Sequence, residues 1–144
     1  MDSALEEARK RINSGQATCV LIRDGQIVDE ASGPGVKPIL HFLEDKPGSL
    51  DGAEVADKIV GKAAAMLLTL GKAKSVHGEI MSQSAHDYLI SNNISPQHAN
   101  LIQQINNRTN TGTCPLELTV TNIQNPQEAY TAIKKTIAKL MAQG

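Results

Sequence analysis

The apolar positions of this chain change period several times, and each change predicts an element. Leu5, Ala8 and Ile12 fall on one helical face behind Ser3-Ala4-Leu5-Glu6, a capping-box pattern in which the serine accepts from a backbone amide and the glutamate reaches back. Asn13-Ser14-Gly15 ends that helix with residues that tolerate left-handed backbone. Two β-rich runs, Thr18 to Arg23 and Gln26 to Asp29, flank Asp24-Gly25 and predict a hairpin, because both turn positions need positive φ. Gly33 to Pro38 reads as a loop, Pro38 opens a short helix carrying Ile39, Leu40, Phe42 and Leu43, and Lys46-Pro47-Gly48 stops it. From Asp51 to Leu70, Ala56, Ile59, Val60, Ala63, Leu67 and Leu70 recur at steps of three and four, which predicts one long amphipathic helix closed by Gly71. Its small residues, Gly61, Ala63, Ala64 and Ala65, would let it lie close against a sheet.

Lys74 to Ile80 alternates through Val76, Gly78 and Ile80 and reads as a strand. Ser84, with Asp87 three residues on, opens a helix that runs through Tyr88 and Leu89 to Asn92-Asn93. Ser95-Pro96 predicts a further helix, with Leu101, Ile102 and Ile105 apolar, followed by the polar loop Asn106 to Gly112. The last helix has the clearest start: Asn125 caps, Pro126 fills the first turn, Glu128 takes the third position, and Tyr130, Ile133, Ile137 and Leu140 form its apolar stripe. The order, helix, hairpin, helix, helix, strand, helix, implies an α/β sheet sandwiched by helices, with the hairpin as its antiparallel part.

The 144 residues favour a single domain, 1–144, with an N-terminal helix over 1–15 and the hairpin over 17–30. Hydrophobic residues at 40% and charged residues at 20% suit a globular chain. A net charge of −1 argues against a nucleic-acid or membrane-surface binder, and aromatics at 2% leave no platform for base stacking. No secretory pattern opens the chain, no apolar run reaches bilayer length, and two cysteines are too few for a disulfide framework, so a cytoplasmic location is expected.

Cys114 has the most chemical promise. In one reading it caps a helix with Pro115 in the first turn and Glu117 third, so that the helix dipole and Arg108 lower its pKa. In another, Leu116, Leu118 and Val120 alternate with polar residues, which makes a strand and removes the dipole; burial as a small core residue is the plain alternative. Cys19, inside a strand, reads as core. Glu54, Lys58 and Lys62 keep four-residue spacing and would form a solvated ladder, yet Asp57 and Lys58 near the start of a buried helix invite a functional reading. The four histidines show no metal spacing, and neither a nucleophile elbow nor a phosphate loop is present, so no metal and no cofactor are expected.

Asp51 to Ala65, then Asn107-Arg108 and Cys114-Pro115-x-Glu117, together with the Asp-Gly hairpin and Gly35 to Pro38, resemble a small prokaryotic domain family of unknown function described as having a cytidine-deaminase-like fold. The resemblance runs from about Ala17 to Ile137 and implies a three-layer α/β/α sandwich with a mixed sheet. Zinc deaminases need His-x-Glu on one helix and Pro-Cys-x-x-Cys on the next. Here Gly52 stands where a ligand is needed before Ala53-Glu54, and Cys114-Pro115 inverts the second motif without a partner cysteine, so zinc hydrolysis of a base is not expected. The resemblance implies instead a cleft that gathers Asp57, Lys58, Arg108, Cys114 and Glu117, and Asn107 and Gly61 are further candidates for binding a ligand.

These residues suggest a metal-free site in which Lys58 and Arg108 hold a small polar or anionic molecule, Cys114 acts as nucleophile or redox thiol, and Asp57 or Glu117 exchanges protons. The alternative is a non-catalytic module that forms a homodimer through the small apolar face of the long helix or the hairpin edge. A divergent nucleotide binder is a third possibility, weakened by the few aromatics.

Overall fold

The structure is a computed structural model that describes residues 3–106 and 114–143. In chain order its elements are α1 (Ser3–Asn13), β1 (Cys19–Arg23), β2 (Gln26–Ala31), α2 (Lys37–Asp45), β3 (Glu54–Val60), α3 (Lys62–Leu70), β4 (Ser75–Ser82), α4 (Gln83–Ser91), β5 (Ser95–Ile102), α5 (Pro115–Val120) and α6 (Pro126–Ala142). The five strands form one mixed sheet in the order β2-β1-β3-β4-β5. β1 runs antiparallel to both β2 and β3, while β3, β4 and β5 are parallel. α1 covers one face, burying Ala4, Ala8 and Ile12 against Val20, Ile22 and Ala56. The other face packs Leu21, Val55, Val76 and Met81 into a larger core with α2, α3, α4 and α6.

Local chemistry explains several of these elements directly. Asp24 and Gly25 take φ of 54° and 75°, as a tight hairpin with the right-handed strand twist requires. Asn125 Oδ1 accepts from the Glu128 amide at 3.0 Å, so the last helix begins as its sequence predicts. Ala63 to Leu68 are all buried, because α3 packs between the sheet and α6. The helix expected from Ser3 is present, but Ser3 already lies within it, so the capping-box assignment does not hold at that residue.

The long helix expected over 51–70 is two elements, strand β3 and helix α3, joined at Gly61. Val55 and Val60 enter the same core although they are five residues apart, and Val76 and Met81 repeat this on β4. Strict alternation would send such pairs to opposite faces. The interrupted alternation of β3, running into the apolar start of α3, imitates helical spacing. Asp57 and Lys58 therefore lie on a strand, and Glu54, Lys58 and Lys62 form no helical ladder. The helix expected from Ser95 is edge strand β5, whose exposed positions on both faces leave no alternation to read. α4 is capped by Ser82, not Ser84: the Ser82 hydroxyl accepts from the Ala85 amide at 3.2 Å.

Candidate functional site

Parallel strands that feed helices place their carboxyl ends, and the helix N-termini that follow, along one edge of the sheet. Here β3 delivers Asp57 and Lys58 and then Gly61, the residue that precedes the first turn of α3. Gly61 carries no side chain to cap that turn, so its orphan amides need an acceptor from elsewhere. Glu117 of α5 supplies it: Oε1 accepts from the Lys62 amide at 2.8 Å and Oε2 from the Ala63 amide at 3.0 Å. A carboxylate at a helix N-terminus also meets the favourable end of the dipole. The Lys62 ammonium reaches back and donates to the Val120 and Thr121 carbonyls at 3.1 and 3.2 Å. Burial lowers the Lys62 pKa, and the Glu117 charge partly opposes that shift. The two contacts form a reciprocal clasp that holds α5 on the start of α3.

Cys114 occupies the N-cap position of α5, which excludes the strand alternative. It is partly exposed, its amide donates to the Ile105 carbonyl at 2.9 Å, and its thiol makes no capping hydrogen bond. Cys19 is fully buried, and burial, reinforced by the Asp57 charge, raises its thiol well above the usual range. Asp57 sits opposite Cys19 on one side and Gly78 on the other. It is 4% exposed. Burial pushes its carboxyl up to about 7, against the lowering effect of the Lys58 amide, which donates to it at 2.8 Å. The Lys58 side chain is exposed. Asn107 and Arg108 lie outside the described residues. The structure thus joins Gly61 to Glu117 directly and places Asp57 and Lys58 a few residues upstream on the same strand.

Gly52 has φ 74°, and Glu54 opens strand β3. Among the described residues no group of three or more His, Cys, Asp or Glu stands together in a way that could hold a metal ion.

A second polar cluster escaped the sequence reading. On the face that α1 covers, Glu79 of β4 accepts from Arg9 Nε at 2.7 Å and Nη2 at 3.2 Å, from Asn13 Nδ2 at 3.0 Å, and from the His77 ring at Nε2. Burial raises the Glu79 pKa, but the hydrogen bonds from Arg9, Asn13 and His77 outweigh it and hold the carboxyl at about 2. The residues are about 70 positions apart in the chain; the one available signal was His77 and Glu79 sharing a face at i, i+2 on a strand.

No curated protein matches the chain. A solved structure, a DUF1893 family protein (TM1506) from Thermotoga maritima, is similar to it with a TM-score of 0.80 and 25% identity, over 96% of this chain and 91% of that chain. The sequence matches the domain of unknown function DUF1893 over residues 7–137. The chain belongs to the DUF1893 family.

Proposed function

We propose that this protein is a zinc-free, cytidine-deaminase-like domain that binds a small polar or anionic ligand at the carboxyl edge of its sheet, beside Cys114. The observation that carries this reading is the Glu117 clasp, which fastens the helix opened by Cys114 to the residues that follow the carboxyl end of β3. In open α/β sheets ligands bind beyond the carboxyl ends of the strands. The mixed sheet, with helices on both faces, supports the three-layer arrangement that the fold reading requires.

Each residue then has a distinct task. Lys58 offers an exposed positive charge, and Arg108, with Asn107, offers directional donors from the segment before Cys114. Asp57, with its carboxyl near 7, exchanges a proton at neutral pH. Glu117 has both carboxylate oxygens committed to α3, so it positions the site with Gly61 and does not hold the ligand. Cys114 supplies an accessible thiol.

Differential thiol labelling tests this. With iodoacetamide at pH 7, Cys114 should label at least about tenfold faster than the buried Cys19, and inorganic phosphate should slow it. Equal, slow labelling of both cysteines removes the site.

A second reading, a non-catalytic module that pairs with another copy of itself, draws support from β5. This eight-residue edge strand is exposed along most of its length, and such an edge is a template for strand pairing. The apolar face of α3 offers no comparable surface, since the core encloses it. Light scattering that reports a dimer, abolished by a proline within β5 and untouched by Cys114→Ser, would favour this reading.

A further inference from the structure

Helix α4 packs on the edge strand β5, and the packing brings two histidines from different elements together. His86 lies in the first turn of α4 and His98 in the middle of β5. Their ring centroids are 6.0 Å apart, with the planes inclined at 68°. The His86 side chain is 31% exposed and His98 is exposed, so both rings meet solvent.

The neighbours of His86 orient its ring. Gln83 Nε2 donates to Asp87 Oδ1 at 2.9 Å, and the same oxygen lies 3.2 Å from His86 Nδ1. A carboxylate only accepts, so Nδ1 carries the hydrogen of that contact and Nε2 is the nitrogen left for a ligand. This holds for the neutral and the charged ring alike, because a metal ion displaces any proton at Nε2. A carboxylate behind one ring nitrogen is the usual support of a metal-bound histidine: it fixes the ring and raises the basicity of the other nitrogen. The His98 ring makes no hydrogen bond among the described residues, so neither of its nitrogens is committed elsewhere.

Distance decides whether one ion can reach both rings. With metal–nitrogen bonds of about 2.0–2.1 Å, two imidazoles on a tetrahedral ion have centroids roughly 5 Å apart. The observed pair is about 1 Å wider, a gap that side-chain rotation closes where the rings are exposed.

We propose that His86 and His98 form an exchangeable site for a divalent transition-metal ion of the zinc class, with His86 bonding through Nε2, Asp87 supporting it from behind, and water completing the coordination. Imidazole nitrogens favour such ions over magnesium and calcium, which take oxygen ligands. The ion ties α4 to the edge strand. With two protein ligands the site is open, unlike a closed structural zinc site. It shares no residue with the carboxyl-edge reading, and either can fail alone.

Zinc chloride titrated into ¹⁵N-labelled full-length protein tests the site, with the histidine ring nitrogens observed directly. The Cys114→Ser background removes a competing exposed thiol. The rings of His86 and His98 should shift together and saturate, and magnesium chloride should move neither. His41 is the internal control: its Nδ1 faces Asp45 at 2.9 Å in the same way, but it has no second histidine, so it should respond only at zinc concentrations at least about tenfold higher. His86→Gln and His98→Gln each remove one ligand at an exposed ring and should weaken zinc at least about tenfold. Asp87→Ala keeps both ligands and should weaken it about tenfold, the ordinary loss when the carboxylate behind a ligating histidine is removed. Should a variant fail to fold, the comparison of His86 and His98 with His41 decides alone. No saturable shift, a shift of only one of the two rings, binding no tighter than at His41, or binding unchanged in the folded variants overturns the proposal.

Discussion

Glu117 fills the space that a side chain on Gly61 would need. A Cβ at Gly61 would lie 2.6 Å from Glu117 Oε2, while the carboxylate accepts from the next two amides at 2.8 and 3.0 Å. The bare glycine and the distant carboxylate are one device: the first makes room, and the second caps the start of the helix.

Gly61→Ala should therefore push the carboxylate off the amides and destabilise the protein by about 1–3 kcal/mol, the range for overpacking with a lost charged hydrogen bond. Glu117→Ala should cost a similar amount by orphaning the Lys62 and Ala63 amides. Because both act on the same contact, the double variant should lose less than the sum of the two. Urea denaturation of the four proteins measures the cycle, and strict additivity would contradict the coupling.

Glu79 ties α1 to β4, and its carboxyl is held at about 2 against an ordinary value of 4.5. A carboxyl lowered by folding adds stability that is complete above its unfolded pKa and is lost as pH falls through the folded one. The protein should thus weaken between roughly pH 4.5 and 2, by about 2 kcal/mol once solvent screening of the Arg9 partner, 29% exposed, is allowed for. Glu79→Gln should lose that amount at pH 7 and flatten the acid limb. Amide exchange should show α1 opening first; uniform protection across the variant would count against this account.

Asp57 has the opposite sign. Its carboxyl rises from 3.8 to about 7, so the fold prefers the protonated form. That preference adds stability fully present below about pH 4, which drains away as pH rises through 7. Asp57→Asn keeps an oxygen for the Lys58 amide and removes the titration. The variant should match the wild type at pH 4 and exceed it at pH 8 by up to about 4 kcal/mol. Parallel stability curves for the two proteins would show that Asp57 ionises as freely in the fold as outside it.

How far the site can be read from the residues depends on the range of each interaction. The Asp24-Gly25 turn, the Asn125 cap and the Val76 strand were legible because each depends on neighbours within a few positions. β3 was not legible, since the interruption between Val55 and Val60 is visible only when the shared core is known. β5 was not legible either: an exposed edge strand needs no apolar alternation, because its pairing with β4 is made by backbone groups that every residue carries. Among the candidate residues, Gly61 and Glu117 were singled out from a resemblance, yet their mutual contact depends on a helix 55 residues away in the chain.

By itself, the order of side chains determined an α/β chain with helices on both sides of a sheet, its hairpin, and the caps of its last helix, because turn conformations, capping and amphipathic faces are short-range preferences of the residues themselves. Only the tertiary structure decided that Asp57 sits on a strand and not a helix, that Glu117 caps the start of α3, and that His77 and Arg9 meet at Glu79. Those outcomes come from burial and from satisfying buried polar groups, and both depend on which distant segments the fold brings into contact.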